Sequence, residues 1–204
     1  MNTKDRILEA AIELFAEKGF SEVSVREITR AVGIKESSMY NHFESKQQIL
    51  DEIFEFLKRQ FDAMTIPEEA AAEMIANLTP EGFMDLSIQS FQMYLGNPLF
   101  VKIWRILSIE RFTNLRAREL FNKHFMDEPI EYQARVFEAL MERGAMKKQN
   151  PRLLAREFFS YILFIYFRYI ETDRNVNINS PEFHEMIKEH IVFLNEAFSK
   201  GKDD

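Results

Sequence analysis

Five of the six prolines in this 204-residue sequence stand directly after Thr79, Asn97, Glu128, Asn150 and Ser180. Proline is tolerated in the first turn of a helix, where the missing N–H has no partner to lose, but it breaks a helix interior or a central strand. The prolines therefore cut the chain into helices, and the runs between them agree. Apolar residues recur at intervals of three and four, and no stretch alternates as a half-buried strand must. The spacing predicts helices over 4–18, 24–31 and 35–42, a long one from Ser45, then 80–95, 98–111, 115–126, 128–143, 151–173 and 181–199. The expected fold class is all-α.

The first three helices are short and carry clear end signals. Ile7, Ala11, Leu14 and Phe15 form the apolar face of the first, and Gly19 follows where a left-handed residue is wanted. Ser24 with Glu27 is a capping box, and Ser45 with Gln48 repeats its spacing. Gly33 interrupts the second helix after about two turns. From Ile49 a stripe of Leu50, Ile53, Phe54, Leu57 and Phe61 marks a long fourth helix. Two short helices joined through a glycine turn and braced by a first make a helix-turn-helix. Ile28, Val32, Ile34 and Met39 can point inward. Lys35, Ser37, Ser38, Tyr40, Asn41 and His42 then have little apolar work to do. A polar outward face suits the DNA major groove, and tyrosine, serine and histidine can donate to phosphate oxygens. Lys46 adds a positive charge in the first turn of the fourth helix, a terminus already suited to anions. The pattern alone leaves open a helix-turn-helix that binds protein instead.

Charge narrows the reading further. The net charge of −7 argues against a general nucleic-acid binder, so any DNA contact must be a small, locally basic face. Residues 24–46 meet that condition, with Arg26, Arg30, Lys35 and Lys46 against Glu27, Glu36 and Glu44. There is no cysteine, which excludes a disulfide scaffold and fits a reducing cytoplasm. The amphipathic start is not expected to be a signal peptide. The run FFSYILFIYF at 158–167 is too short for a bilayer, which takes about 20 apolar residues, so a buried helix and no membrane contact are expected.

Residues 7–50 resemble the DNA-binding domain of the TetR (tetracycline-repressor-like) family. The resemblance is carried by ILEAAIELFAEKGF, Ser24 with Ile28, VGI at 32–34, and MYNHFESKQQIL. It implies that Ser24 and Lys46 contact phosphates and that 35–42 is the recognition helix. Tyr40 and His42 would then meet backbone or bases, and Phe43 would lock the helix to the fourth. The implied DNA-binding set is Ser24, Arg26, Lys35, Glu36, Ser37, Ser38, Tyr40, Asn41, His42 and Lys46. The sequence departs from the family at Thr29, Lys35 and Ser37. Glu36 either favours the helix dipole or reads a cytosine amino group.

The expected division is a helix-turn-helix domain over 1–46 and a ligand-binding and dimerisation domain over 47–204. The family resemblance implies a small effector bound within the second domain's bundle. Aromatic walls make adaptable apolar pockets. The candidate lining is Phe91, Tyr94, Trp104, Phe112, Tyr132, Phe158 and Tyr161, with Arg105 and His124 as polar anchors. The resemblance also implies a homodimer through the last two helices, with Tyr169, Phe183, Ile187, Ile191, Leu194 and Phe198 at the seam. The alternative is an all-helical enzyme with a buried apolar site, but no HExxH, phosphate loop or Ser/His/Asp signature is present. No metal and no cofactor are expected. The expected partners are a double-stranded DNA operator, a hydrophobic small molecule and a second copy of the chain.

Overall fold

The computed structural model describes residues 2–64, 67–79, 82–83, 85–87, 89, 96–170 and 180–198. The described residues are mostly helical, without a β-strand among them, as expected for an all-α fold. The chain forms two compact units. One joins Met1–Thr65 to Lys102–Lys123, and the other joins Ile66–Val101 to His124–Asp204.

The first unit contains helices α1 (Thr3–Lys18), α2 (Val25–Val32), α3 (Glu36–Met39) and α4 (Lys46–Met64). It also takes the last nine residues of α6 (Pro98–Glu110) and all of α7 (Leu115–Asn122). Ile7, Ala11 and Phe15 of α1, Ile28 and Val32 of α2, and Met39 of α3 are buried together with Phe43 and Ile49, Leu50, Ile53, Phe54, Leu57 and Phe61 of α4. These are the apolar positions that helical spacing selects; only Leu14 and Ile34 stay half-buried. Gly33 adopts φ 75° and ψ 34°, and Ile34 N–H returns to the Thr29 carbonyl at 3.0 Å. Such a left-handed stop favours glycine, and here conformation alone demands it, because a Cβ would meet nothing within 4 Å.

The start of α2 is the predicted capping box. Ser24 Oγ accepts the Glu27 N–H at 3.2 Å, and Glu27 Oε2 accepts the Ser24 N–H at 2.8 Å. Lys18 adds an ion pair at 2.8 Å. The Lys18 hydrogen bond and then the Ser24 bonds hold the exposed Glu27 carboxyl down to about 2. A carboxyl depressed in the fold stabilises it above the unfolded pKa and loses that contribution as pH falls through the folded value. The order at Ser24 should therefore fade between about pH 4.5 and 2. NMR amide shifts of Ser24 and Glu27 against pH check this, and Glu27→Gln should abolish the transition.

The second unit contains α5 (Glu68–Ala76), α8 (Glu128–Glu142), α9 (Pro151–Ile165) and α10 (Pro181–Phe198). Described residues between 82 and 89 are helical as well, while 80, 81, 84, 88, 90–95, 171–173 and 199 of the predicted helices lie outside the described residues. The side chains of Thr79, Asn97 and Asn150 each accept a backbone amide two or three residues on, the capping role their places before proline suggest. Glu128-Pro129 behaves differently. Instead of two helices, 115–142 is one helical run with a π-helical turn at Lys123–Asp127. The wider turn lies just before Pro129, whose missing N–H and bulky ring would otherwise disrupt an α-helix. A second π turn, Tyr166–Ile170, follows α9. Phe83, Phe137 and Phe158 pack mutually with ring centroids 5.4–6.0 Å apart. Arg143 binds the free carbonyls of Ile75 and Ala76 at the end of α5.

On α10, Phe183, Ile187, Ile191 and Leu194 are buried within the single chain. Tyr169 packs edge-on against Phe183 at 5.5 Å, and Phe198 is half-buried. Among the described residues, the large apolar side chains left exposed there are Leu153, Phe164 and Phe167 along α9 and its π turn, and Phe193 on α10.

Candidate nucleic-acid interface

Met39 and Phe43 anchor the short α3 segment, with 0% and 2% of their surface exposed. Pinning by these two residues decides what faces out. Tyr40 is 53% exposed, and Arg26, Lys35, Glu36, Ser37, Asn41 and His42 are exposed as well. Ser38 is half-buried. The regular helix is shorter than the predicted 35–42. Lys35 gives no side-chain cap, and after Met39 the chain continues in turns, with the amides of His42 and Phe43 both returning to the Met39 carbonyl. The departure of Lys35 from a serine cap, visible in the sequence, accounts for the loose start.

The charges on this face are sorted by their neighbours. Glu27, the acid that would oppose a phosphate, is neutralised by Lys18 and its own capping bonds. Arg26, Arg30 and Lys35 remain exposed. Glu36 and Glu44 are exposed as well, so the outward charge is three basic residues against two acids. Ser24 Oγ is engaged with Glu27, both donating to its carboxylate and accepting its amide. Lys46 is engaged more strongly still. Its Nζ donates to the carbonyls of Phe20 and Val23, both at 2.7 Å, and lies 4.2 Å from the Phe20 ring centroid.

Three contacts in this unit escaped the sequence reading. Asn2 and Asp5 form a capping box on α1, legible in hindsight from the N-x-x-D spacing. Arg6 donates to the Val32 carbonyl at the end of α2, and Glu110 accepts the Phe20 N–H at 2.9 Å. The last two join residues 26 and 90 positions apart, which no local pattern reveals.

The candidate effector residues are divided between the two units. Trp104, Arg105 and Phe112 belong to the first unit; His124, Tyr132, Phe158 and Tyr161 belong to the second. Phe91 and Tyr94 lie outside the described residues. Trp104 is buried edge-on to Phe121 at 5.6 Å. Phe112 is 71% exposed, with the Arg111 guanidinium over its ring at 4.9 Å. Phe158 fills the phenylalanine cluster, and its carbonyl accepts from His190 Nε2 at 3.1 Å. Burial lowers the pKa of His190, and the ring stacks on Tyr161 at 4.3 Å. Burial raises the pKa of Tyr132 and Tyr161. His124 is buried, with Nδ1 2.8 Å from Glu128 Oε2.

Residues 7–53 match the profile of the family described as "Bacterial regulatory proteins, tetR family". The HTH-type transcriptional regulator YttP of Bacillus subtilis is 25% identical over 211 residues, covering 98% of this chain and 96% of the relative. The HTH-type transcriptional repressor KstR2 of Rhodococcus jostii is 27% identical over 184 residues, covering 87% and 84%. A transcriptional regulator from Saccharomonospora viridis, solved in complex with choline, shares the fold with a TM-score of 0.67 at 20% identity, covering 97% and 98%.

Proposed function

We propose that this chain, a DNA-binding regulator of the tetR family through its residues 7–53, represses transcription as a homodimer on a near-palindromic operator and is released by a small effector. The observation that carries the reading is the exposed polar face of α2 and α3 standing on buried Met39 and Phe43. Arg26, Lys35, Tyr40, Asn41 and His42 are its contact residues toward DNA, with Ser37 and Glu36 at the start of α3. Full-length relatives named as a regulator and a repressor support the class. A gel shift on DNA upstream of the chain's own gene tests it; a third-party protein ligand captured by the same face, with no shift on any duplex, would favour the protein-interaction alternative.

The dimer seam in this reading uses the exposed aromatics of the last two helices. Leu153, Phe164, Phe167 and Phe193 are the apolar residues that the second unit leaves uncovered there. A solvent-facing set of this kind is what a second copy would cover.

The effector is taken to be small and partly aromatic or apolar. The aromatic content of the second unit supports this, and the fold neighbour solved with choline extends the candidates to cationic amines held by aromatic rings. A ligand that binds only the folded chain raises its melting temperature in proportion to log concentration. A panel of fatty acids, steroids, aromatic compounds and quaternary amines is expected to yield at least one class with a shift of several degrees that keeps growing with log concentration. The same compound should lower DNA affinity. A compound that raises the melting temperature without moving DNA affinity is not the effector.

A further inference from the structure

The turn between α1 and α2 is gripped from two sides by opposite charges. Glu110, the last residue of α6, is only 5% exposed, and its Oε1 accepts the Phe20 N–H. Lys46, the first residue of α4, donates to the carbonyls of Phe20 and Val23. The Phe20 ring lies between the Lys46 ammonium and Phe15, whose centroid is 5.3 Å away. Charge-assisted hydrogen bonds are about twice as strong as neutral ones, and a buried carboxylate that loses its donor is costly. Gly19 lets α6 approach: a Cβ there would stand 3.3 Å from Ile109 Cγ2, at a φ of 82° that side chains rarely adopt. The turn leads straight into Ser24, the N-cap of α2, and so to Arg26.

We infer that Lys46 and Glu110 form one clamp that positions the DNA-binding face through the 19–23 turn, and that Lys46 acts there as a brace and not as a phosphate ligand. The inference rests on the DNA-binding reading above. An ammonium held by two carbonyl oxygens has one N–H left and is partly screened by their dipoles. Its loss moves the turn; it does not remove a phosphate contact.

Salt dependence separates the two roles. Each lost phosphate contact lowers the slope of log affinity against log salt by about one, hence by about two for a dimer, whereas a misplaced turn lowers affinity at every salt alike. The probe is the tightest duplex that the wild-type protein recovers from a random-sequence library. Lys46→Met and Glu110→Ala are each expected to weaken binding to it about tenfold with the slope unchanged. Glu110→Gln keeps an acceptor oxygen and should stay within about threefold of wild type. A slope lower by about two in Lys46→Met, or wild-type affinity in a folded Glu110→Ala, overturns the inference. Hydrogen exchange at the Phe20 amide gives a test that needs neither DNA nor the alanine variant. The amide should be protected in the wild type and exchange several-fold faster in Glu110→Gln. Unprotected exchange in the wild type overturns the clamp. If the wild type selects no duplex, the DNA-binding reading fails, and exchange at Phe20 alone decides the clamp.

Discussion

Phe164→Glu combined with Phe193→Glu is expected to yield a folded monomer that has lost more than a hundredfold in operator affinity. The rings are 50% and 65% exposed in the single chain, and Phe164 gives up only its ring contacts with Tyr161 and Tyr169, so replacing them leaves the core intact. If they sit in the seam, each substitution deletes an aromatic anchor and forces a carboxylate into an apolar contact. Interface anchors of this kind are worth about 2 kcal/mol or more each, so the pair should shift dimerisation by about a thousandfold. DNA binding follows, because one recognition segment reads only half of a two-fold site. Sedimentation equilibrium and a thermal melt on the same sample check both halves of the statement. Leu194→Arg gives the contrast. Leu194 is buried inside the subunit, and an unpaired buried charge costs about 3–5 kcal/mol, so this variant should lose its fold and not merely its partner. A well-folded monomer from Leu194→Arg would return the seam to the α10 stripe.

Tyr40→Ala is expected to weaken operator binding by about a hundredfold while shifting stability by no more than about 0.5 kcal/mol. The two effects separate because of where the ring stands. Met39 and Phe43 on either side are buried and hold the segment, while Tyr40 projects outward with no part in that packing. A dimer carries the loss twice, which multiplies a modest contact energy into a large change in affinity. Fluorescence anisotropy on a labelled duplex, with circular dichroism as the control for folding, reads both quantities. Unchanged affinity would move the reading face away from α3.

The fold was legible because its determinants are local. Proline after Thr79, Asn97 and Asn150 marked helix starts, and the caps are formed as the residue types require. Gly33 marked the stop of α2 because its backbone torsions favour glycine. Phe43 read as a plug, and it is buried. The rest was not legible because it depends on distant partners. The α10 stripe has the same spacing whether it faces its own core or a second chain, and only the packing of α10 within its unit assigns it inward. Phe112 is aromatic within a segment of pocket-like composition, and only its place between α6 and α7 shows it to be 71% exposed. The carbonyls that engage Lys46 lie 23 and 26 residues away, so its sequence neighbours give no sign of them. Glu110 could not be singled out at all, since its partner is 90 residues distant.

The most direct measurement is selection of bound duplexes from a random-sequence library by the wild-type protein, followed by hydroxyl-radical footprinting on the winning sequence. A dimer that presents two α2–α3 faces to successive major grooves should enrich a near-palindrome. Its footprint should protect two patches on one face of the duplex, with half-sites about 34–36 Å apart. Recovery of unenriched sequence, with binding that is uniform along the duplex and vanishes at moderate salt, would contradict the account.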